Sequence, residues 1–285
     1  MTVITTPSDT YGIAVDNISV TYSNARLALY NANCYVEPGT ITGLVGPNGG
    51  GKSTLFKSIM GFLSPSQGHV HIDGVSVERA QKQQLMAYVP QADEVDWNFP
   101  ISVFDVVMMG RYGYMNMFRI PSRKDRRLVM ESLERVGMSE FRNRQIGELS
   151  GGQKKRAFLA RALAQAGKVI LLDEPFTGVD VKTEKSIITL LMQLRDEGHT
   201  ILVSTHDLSS ISTFCDRVIL LNQTILAAGT TEETFTEENL SMTFGGLPIS
   251  SLSGKTNQSP DAHLANQPGH SFIQSEKANA QGIDV

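Results

Sequence analysis

Short apolar segments separated by polar turns run through most of this sequence and predict a mixed α/β fold. Largely apolar runs at residues 41–45, 169–172 and 200–205 are typical of strands that are buried on both faces. Alternating apolar and polar residues at 13–22 and 28–36 instead predict half-exposed antiparallel strands. The two patterns together predict a buried α/β core and an antiparallel β subdomain.

Helical spacing of apolar residues follows some of these strands, at residues 55–60, 124–136 and 154–166. Two further short apolar runs, at 217–222 and 224–228, predict a hairpin near the end of the folded part. We therefore expect strands and helices to alternate through the core.

The chain ends differ from the rest in composition. Serine, asparagine, glutamine, glycine and proline dominate residues 247–285, which predicts a largely disordered tail. Residues 1–12 precede the first predicted strand and are assigned to an N-terminal extension. The folded domain is expected to span residues 13–246, with a helical subdomain inserted at about 92–166.

Composition excludes several classes of protein. The 285 residues are 41% hydrophobic and 19% charged, as in ordinary globular proteins, and a formal net charge of −4 offers no general attraction for nucleic acid. Neither a secretion signal nor an apolar run of about 18 residues is found, so we expect no membrane-spanning helix. Cys34 and Cys215 lie far apart and lack metal-ligand spacing, which predicts small buried hydrophobic residues in a reducing cytoplasm.

Residues 46–54 form the strongest chemical motif in the sequence. They read GPNGGGKST, follow the apolar run at 41–45 and precede a helical segment, which is the strand, loop and helix order of a P-loop. Glycines allow the backbone N–H groups to converge on phosphate, and the helix N-terminus adds positive potential. The alternative is a glycine-rich turn with an incidental lysine. The predicted nucleotide-binding residues are Gly46, Pro47, Asn48, Gly49, Gly50, Gly51, Lys52, Ser53 and Thr54.

Polar residues follow three other apolar strands where each strand ends. Gln91 could reach Mg²⁺ or an attacking water, and Asp173 and Glu174 form a carboxylate pair of the kind that holds Mg²⁺ and deprotonates water in P-loop enzymes. Ser53 would supply a hydroxyl ligand to the same Mg²⁺. His206 lies in the crevice where α/β sheets bind ligands, although a lone histidine is more often structural. The predicted chemistry is cleavage of a nucleoside triphosphate.

A second glycine-rich helix start occurs at Ser150, Gly151, Gly152 and Gln153. Read alone, the serine is an ordinary helix cap. Exposed N–H groups at a helix N-terminus also bind anions, and the P-loop already provides a nest for the chain's own nucleotide. The additional anion site suggests a second phosphate ligand, elsewhere on the chain or in a partner subunit.

Other segments leave two interpretations open. Tyr22 could stack on adenine or pack at a strand end, and His69 and His71 share a strand face that could bind a metal only with a third ligand. The methionine-rich and aromatic segment 103–117 suits either a core or a surface for another protein. The charged cluster at 123–127 is interpreted as a solvated face.

The joint pattern of GPNGGGKST, Gln91, LSGGQ at 149–153, VILLDE at 169–174 and His206 resembles the ATP-binding subunit of an ABC transporter over about residues 13–246. The resemblance implies an ATPase that requires ATP and Mg²⁺. It also implies roles for individual residues: adenine stacking for Tyr22, the Q-loop for Gln91, the general base for Glu174, the dimer seam for Asp180 and the γ-phosphate switch for His206. The LSGGQ segment would close over ATP that is held by a second copy.

Residues 95–100 and 105–113 resemble cassettes of manganese and zinc importers within that family. The implied partners are a second copy, an integral membrane permease and, indirectly, an extracytoplasmic solute-binding protein. The implied location is peripheral, at the cytoplasmic face of the plasma or inner membrane. Three alternatives remain open at this point: an importer of iron chelate, haem or another solute, a soluble ABC ATPase acting on nucleic acid or ribosomes, and an interaction module without activity.

Overall fold

Two β-sheets and the helices around them make up the part of the chain that the computed structural model describes, residues 11–23, 25–91 and 96–245. The tail predicted at 247–285, residues 1–10 of the predicted extension, and residue 95 of the segment at 95–100 lie outside the described residues. In chain order the strands are β1 (Ile13–Thr21), β2 (Leu27–Val36), β3 (Ile41–Val45), β4 (Gln67–Ile72), β5 (Val75–Ser76), β6 (Met86–Val89), β7 (Val169–Asp173), β8 (Thr200–Thr205), β9 (Arg217–Asn222) and β10 (Thr224–Thr230).

The larger sheet has the order β10-β9-β3-β8-β7-β6. Its strands are parallel except β10, which forms the predicted antiparallel hairpin with β9. Every residue of β3, β7 and β8 is buried, as expected of apolar strands with both faces covered. The carboxyl ends of these strands lie at one edge of the sheet, and the predicted polar residues follow them there.

The smaller sheet is antiparallel, in the order β2-β1-β4-β5. Half-exposure was the correct prediction for β2 but the wrong one for β1, where Ile13, Ala14 and Val15 are buried in succession. Register shifts against both neighbouring strands follow Val15 and Asp16, so the period of two does not persist along β1. Because β1 lies inside the sheet, its apolar residues join the core that contains Leu44 and Leu55.

Helices pack against both sheets and include those that were predicted. In chain order they are α1 (Lys52–Ile59), α2 (Val77–Lys82), α3 (Val103–Met109), α4 (Arg123–Arg135), α5 (Gly151–Gln165), α6 (Val181–Asp196), α7 (Ile211–Phe214), α8 (Thr231–Thr234) and α9 (Glu237–Thr243). Helices α3, α4 and α5 pack on one another between β6 and β7 in the chain. None of the helices in the described ranges combines the length and apolar character that a bilayer span requires.

The segment at 103–117 is partly core and partly exposed surface, so each of the two interpretations applies to one part of it. Val103, Val107 and Met108 are buried in the main core, whereas the following loop leaves large apolar side chains exposed. The exposed residues of the loop are Tyr112, Tyr114, Met117, Phe118 and Ile120.

Both cysteines are buried and free, as predicted. His69 and His71 lie on β4 with ring centroids 6.5 Å apart, and no metal-binding cluster is found among the described residues.

Asp125 corrects the interpretation of residues 123–127 as a solvated face. The arginines and the lysine of this cluster are exposed, but Asp125 is buried and accepts a 3.0 Å hydrogen bond from Nε of the buried Arg111. The hydroxyl of Ser122 donates to the same carboxylate at 2.6 Å and, with Arg111, lowers the pKa of Asp125 against the opposing effect of burial. Arg111 also donates to the carbonyl of Ala164 at 2.9 Å, so the pair joins α4 to α5.

Arg111→Met is expected to destabilise the fold, because it leaves the carboxylate of Asp125 buried without its cation. Breaking a buried pair costs about 3–5 kcal/mol, which corresponds to a melting temperature lower by about 6–20 °C in a domain of this size. Thermal unfolding followed by circular dichroism measures the change. Arg127→Met is the control, since its pair with Glu131 is exposed and contributes about 0–1 kcal/mol. Equal melting temperatures for the two variants would contradict the assigned role.

Candidate functional site

Glycines determine the conformation of the loop between β3 and α1. Gly51 precedes α1 with φ at +102°, a conformation that side chains other than glycine rarely adopt. Gly46 lies so close to the next strand that an added Cβ would come within 2.0 Å of the carbonyl oxygen of Leu221. The two glycines explain why this loop can form, and α1 then begins at Lys52 with its N-terminus toward the loop.

A polar cavity of about 490 Å³ opens at this loop, a volume within the range of small-molecule binding sites. We call it the P-loop cavity. It brings together groups from the P-loop, the end of β1, the end of β6 and the ends of β7 and β8. The lining residues are Tyr22, Arg26, Leu27, Ala28, Pro47, Asn48, Gly49, Gly51, Lys52, Ser53, Thr54, Gln91, Glu174, His206 and Gln223.

Lys52 is the principal cation of the cavity. Its side chain is buried, and its ammonium group donates to the carbonyl oxygens of Gly46 at 2.8 Å and Pro47 at 3.1 Å. Burial lowers the pKa of Lys52, while the nearby carboxylates of Glu174 and Asp173 act in the opposite direction. A phosphate in the cavity would offer this ammonium charged acceptors in place of neutral carbonyls.

Glu174 is held by contacts to both its side chain and its backbone. One carboxylate oxygen lies 3.3 Å from Nδ1 of His206, and the other accepts a 3.2 Å hydrogen bond from the hydroxyl of Thr177. The backbone N–H of Glu174 donates to Oγ of Ser204 at 3.0 Å, and its φ of +48° is unusual for a residue other than glycine. A carboxylate fixed beside a histidine in an open cavity is suited to accept a proton from water.

Asp173 lies behind Glu174, at the carboxyl end of β7. Its side chain is buried, and the hydroxyl of Ser204 donates to it from the paired position on β8. Ser53, Gln91 and Asp173 together offer a hydroxyl, an amide and a carboxylate, and oxygen donors are the ligands that Mg²⁺ prefers. The residues present therefore have the donor chemistry that a magnesium ion would require.

Tyr22 follows β1 and lines the cavity beside the start of α1. Its hydroxyl lies 3.0 Å from Oγ1 of Thr54, and about a third of its side chain is exposed. This position leaves the ring available to a base, so adenine stacking stays a prediction that the geometry permits.

Tyr22→Leu is expected to raise the KM for ATP by about five- to a hundredfold, since base stacking on an aromatic contributes about 1–3 kcal/mol. Tyr22→Phe keeps the ring and loses only the contact with Thr54, so its KM should stay within about threefold of the original. Steady-state ATPase measurements over a range of ATP concentrations make the comparison. A Phe variant as impaired as the Leu variant would remove the stacking assignment.

The residues of the LSGGQ segment lie outside the P-loop cavity. The Oγ of Ser150 accepts from the N–H of Gln153 and the side chain of Gln153 accepts from the N–H of Ser150, which is a capping box at the start of α5. Gly151 packs close to the carbonyl of Gly178. The structure thus contains the helix cap, while the second phosphate ligand stays a prediction.

Asp180 also lies outside the cavity, at the N-cap of α6. Its carboxylate accepts hydrogen bonds from the hydroxyl of Thr183 at 2.7 Å and from the N–H of Thr183 at 3.0 Å, and these bonds lower the pKa of Asp180. Because the side chain is exposed and ionised, it can face another molecule without rearrangement of the cap.

Several residues of this site were not predicted from the sequence. Arg26 and Gln223 line the cavity from turns without any motif, and the N–H of Gln223 supports the P-loop by donating to the carbonyl of Gly50 at 2.7 Å. Ser204 could have been found, because parallel strands that end together place their last residues side by side. Lys155 on α5 contacts Glu174, which follows β7, and only tertiary packing brings the two residues together.

Comparison with known proteins places these features in one family. Residues 29–177 match the family model described as ABC transporter. The manganese transport system ATP-binding protein MntA of Synechocystis sp. is 83% identical over 240 residues, covering 84% of this chain and 92% of that protein. YfeB of Yersinia pestis, named for chelated iron transport, is 64% identical, covering 82% and 79% respectively. TroB of Treponema pallidum, a zinc transport system ATP-binding protein, is 42% identical, covering 90% and 94%.

Solved structures share the same architecture. An inward-facing metal-chelate type ABC transporter superposes with a TM-score of 0.74 at 30% identity, covering 84% of this chain and 90% of the matched chain. A dimeric ATP-binding cassette in a post-hydrolysis state with ADP and phosphate superposes with a TM-score of 0.67 at 28% identity, covering 76% and 98%.

Proposed function

This chain belongs to the family of ABC transporter ATP-binding subunits and is an ATPase, and from that premise we propose that it powers the import of manganese through a membrane permease. The observation that carries the choice of cargo is the 83% identity to a manganese transport ATP-binding protein over 240 residues. A cassette acts through its permease and does not bind the cargo, so overall similarity supports the assignment more strongly than any single side chain does.

Hydrolysis follows from the arrangement of the P-loop cavity. Lys52 and the N–H groups of the loop bind the β- and γ-phosphates, and Tyr22 stacks on the adenine. Glu174 accepts a proton from the water that attacks the γ-phosphate in line, the bond from the γ-phosphorus to the bridging oxygen breaks and ADP leaves, while His206 stabilises charge on the γ-phosphate in the transition state. Ser53, Gln91 and Asp173 would hold Mg²⁺, which would supply charge neutralisation on the phosphate chain.

Two copies of the chain enclose two nucleotides in this proposal. Ser150, Gly151, Gly152 and Gln153 of one copy contact the γ-phosphate in the P-loop cavity of the other, and Asp180 lines the seam between them. The position of the LSGGQ segment outside its own cavity supports this arrangement, because its exposed helix N-terminus can contact a phosphate that another molecule holds. ATP binding closes the pair, and hydrolysis releases it.

The permease contacts the exposed apolar loop of the helical region. Tyr112, Tyr114, Met117, Phe118 and Ile120 offer a surface that a membrane subunit can cover, and methionine and aromatic side chains are common at such interfaces. The chain is therefore peripheral, at the cytoplasmic face of the plasma or inner membrane. An extracytoplasmic solute-binding protein delivers the ion to the permease and is linked to this chain only through the permease.

Measurement of metal uptake by cells that lack this chain tests the proposal. Manganese uptake should fall to background in the deletion strain, return with the wild-type chain and stay at background with Glu174→Gln. Uptake of zinc and of chelated iron is measured in the same strains, because relatives named for both metals match this chain. Loss of chelated-iron uptake with normal manganese uptake would replace manganese by an iron chelate as the cargo.

A further inference from the structure

A lysine on the LSGGQ helix reaches the backbone of the catalytic glutamate. Lys155 lies on α5, just over one turn after its N-cap, and its side chain is only 7% exposed. Its ammonium group donates a 2.8 Å hydrogen bond to the main-chain carbonyl of Glu174. One side chain therefore joins the helix that begins at Ser150 to the residue that activates water.

The backbone of Glu174 is a sensitive point at which to make this contact. Its φ of +48° is one that a residue other than glycine keeps only when its surroundings hold it. Ser204 holds the N–H side of the residue, and Lys155 holds the carbonyl side. Because the carboxylate is attached to the same Cα, a small rotation of this backbone moves it relative to His206 and to the attacking water.

Helix α5 can transmit a displacement from its tip to Lys155. Lys155 lies five positions after Ser150, a rise of about 7.5 Å along the helix axis, and a helix held by its backbone hydrogen bonds moves as a rigid element over such a length. The tip packs close to the start of α6 and to the segment before it, with Gly152 near the side chain of Thr183 and Gly151 near the carbonyl of Gly178. A phosphate that docks on the tip would therefore shift or fix α5 together with its contact to Glu174.

We propose that Lys155 is a positioning residue that makes the general base of each copy respond to the ATP held by the other copy. The inference rests on the proposed function, since it requires the two-copy arrangement. ATP in the cavity of one chain docks on the α5 tip of its partner, and the lysine of that partner then sets the glutamate that hydrolyses the partner's own ATP. Each site is thereby coupled to the other through one hydrogen bond inside a single chain.

The test compares Lys155→Met with Lys82→Met in the purified full-length protein, because Lys82 is exposed on α2. We expect Lys155→Met to lower kcat by about ten- to a hundredfold, the usual effect of losing a hydrogen bond to a charged group, while the KM for ATP changes by about twofold or less. Lys155→Arg should restore part of the kcat, because it keeps a charged donor. Lys82→Met should leave both constants unchanged.

A double-mutant cycle separates coupling from a purely structural role. Ser150→Ala disturbs the tip, so its effect on kcat should be much smaller when Lys155 is already Met. ATP-driven dimerisation measured in the Glu174→Gln background should be the same with and without Lys155→Met. Additive effects, an unchanged kcat, or a melting temperature that falls in parallel with kcat and is not restored by Arg would overturn the inference. A wild-type protein that hydrolyses no ATP, or a Glu174→Gln protein that stays monomeric with ATP, would instead overturn the proposed function.

Discussion

Glu174→Gln is expected to lower kcat for ATP hydrolysis by about a hundred- to ten-thousandfold, the usual contribution of a general base. The amide retains the shape of the carboxylate and can still contact Thr177 and His206, but it cannot accept a proton from water. ATP binding uses the P-loop and Tyr22, so it should persist. The variant should therefore accumulate as a closed, ATP-loaded pair.

Two measurements on one preparation check this expectation. Phosphate release gives kcat, and size-exclusion chromatography with light scattering gives the mass with and without ATP. Glu131→Gln is the matched control, because its carboxylate is exposed on α4 and pairs with the exposed Arg127. Steady-state turnover by Glu174→Gln near the wild-type rate would assign the proton transfer to another group.

Lys52→Ala is expected to impair ATP binding and turnover together. Each charge-assisted hydrogen bond from the ammonium to a phosphate oxygen contributes about 1.5–3 kcal/mol, so the loss of two weakens ATP affinity by about a hundredfold or more. The same ammonium stabilises charge that develops on the phosphates, so kcat should fall as well. Dimerisation, which depends on bound ATP, should disappear at ATP concentrations that saturate the wild-type protein.

The contrast between the two variants is the informative result. Glu174→Gln should bind a fluorescent ATP analogue and dimerise, whereas Lys52→Ala should do neither, and thermal unfolding shows whether each variant is folded. Lys82→Ala provides the control for removal of a positive charge. If Lys52→Ala bound ATP as tightly as the wild-type protein, the phosphate contact assigned to this lysine would be wrong.

Local motifs made much of the site predictable. A P-loop is built by neighbouring residues, so the glycines, Lys52 and the following helix could be recognised together. The buried runs at β7 and β8 likewise indicated where Asp173, Glu174 and His206 would lie, because parallel strands present their ends at one edge of a sheet. The capping box at Ser150 is also a local pattern.

Tertiary packing decided the features that no local pattern contains. Asp125 looked like part of a solvated cluster, but a partner fourteen positions earlier in the chain, Arg111, keeps it buried. Strand β1 lies between β2 and β4, and Ile13, Ala14 and Val15 are buried in succession where alternation predicted partial exposure. Arg26 and Gln223 reach the P-loop cavity from separate turns.

The amino-acid order by itself determined which chemistry the chain carries, because phosphate binding and proton transfer depend on residue types at short, regular spacings. Only the three-dimensional fold decided which distant groups restrain that chemistry. The contact of Lys155 with Glu174 joins a helix to a strand end nineteen positions away. Its existence depends on how α5 packs against the sheet, and that packing is a property of the whole core.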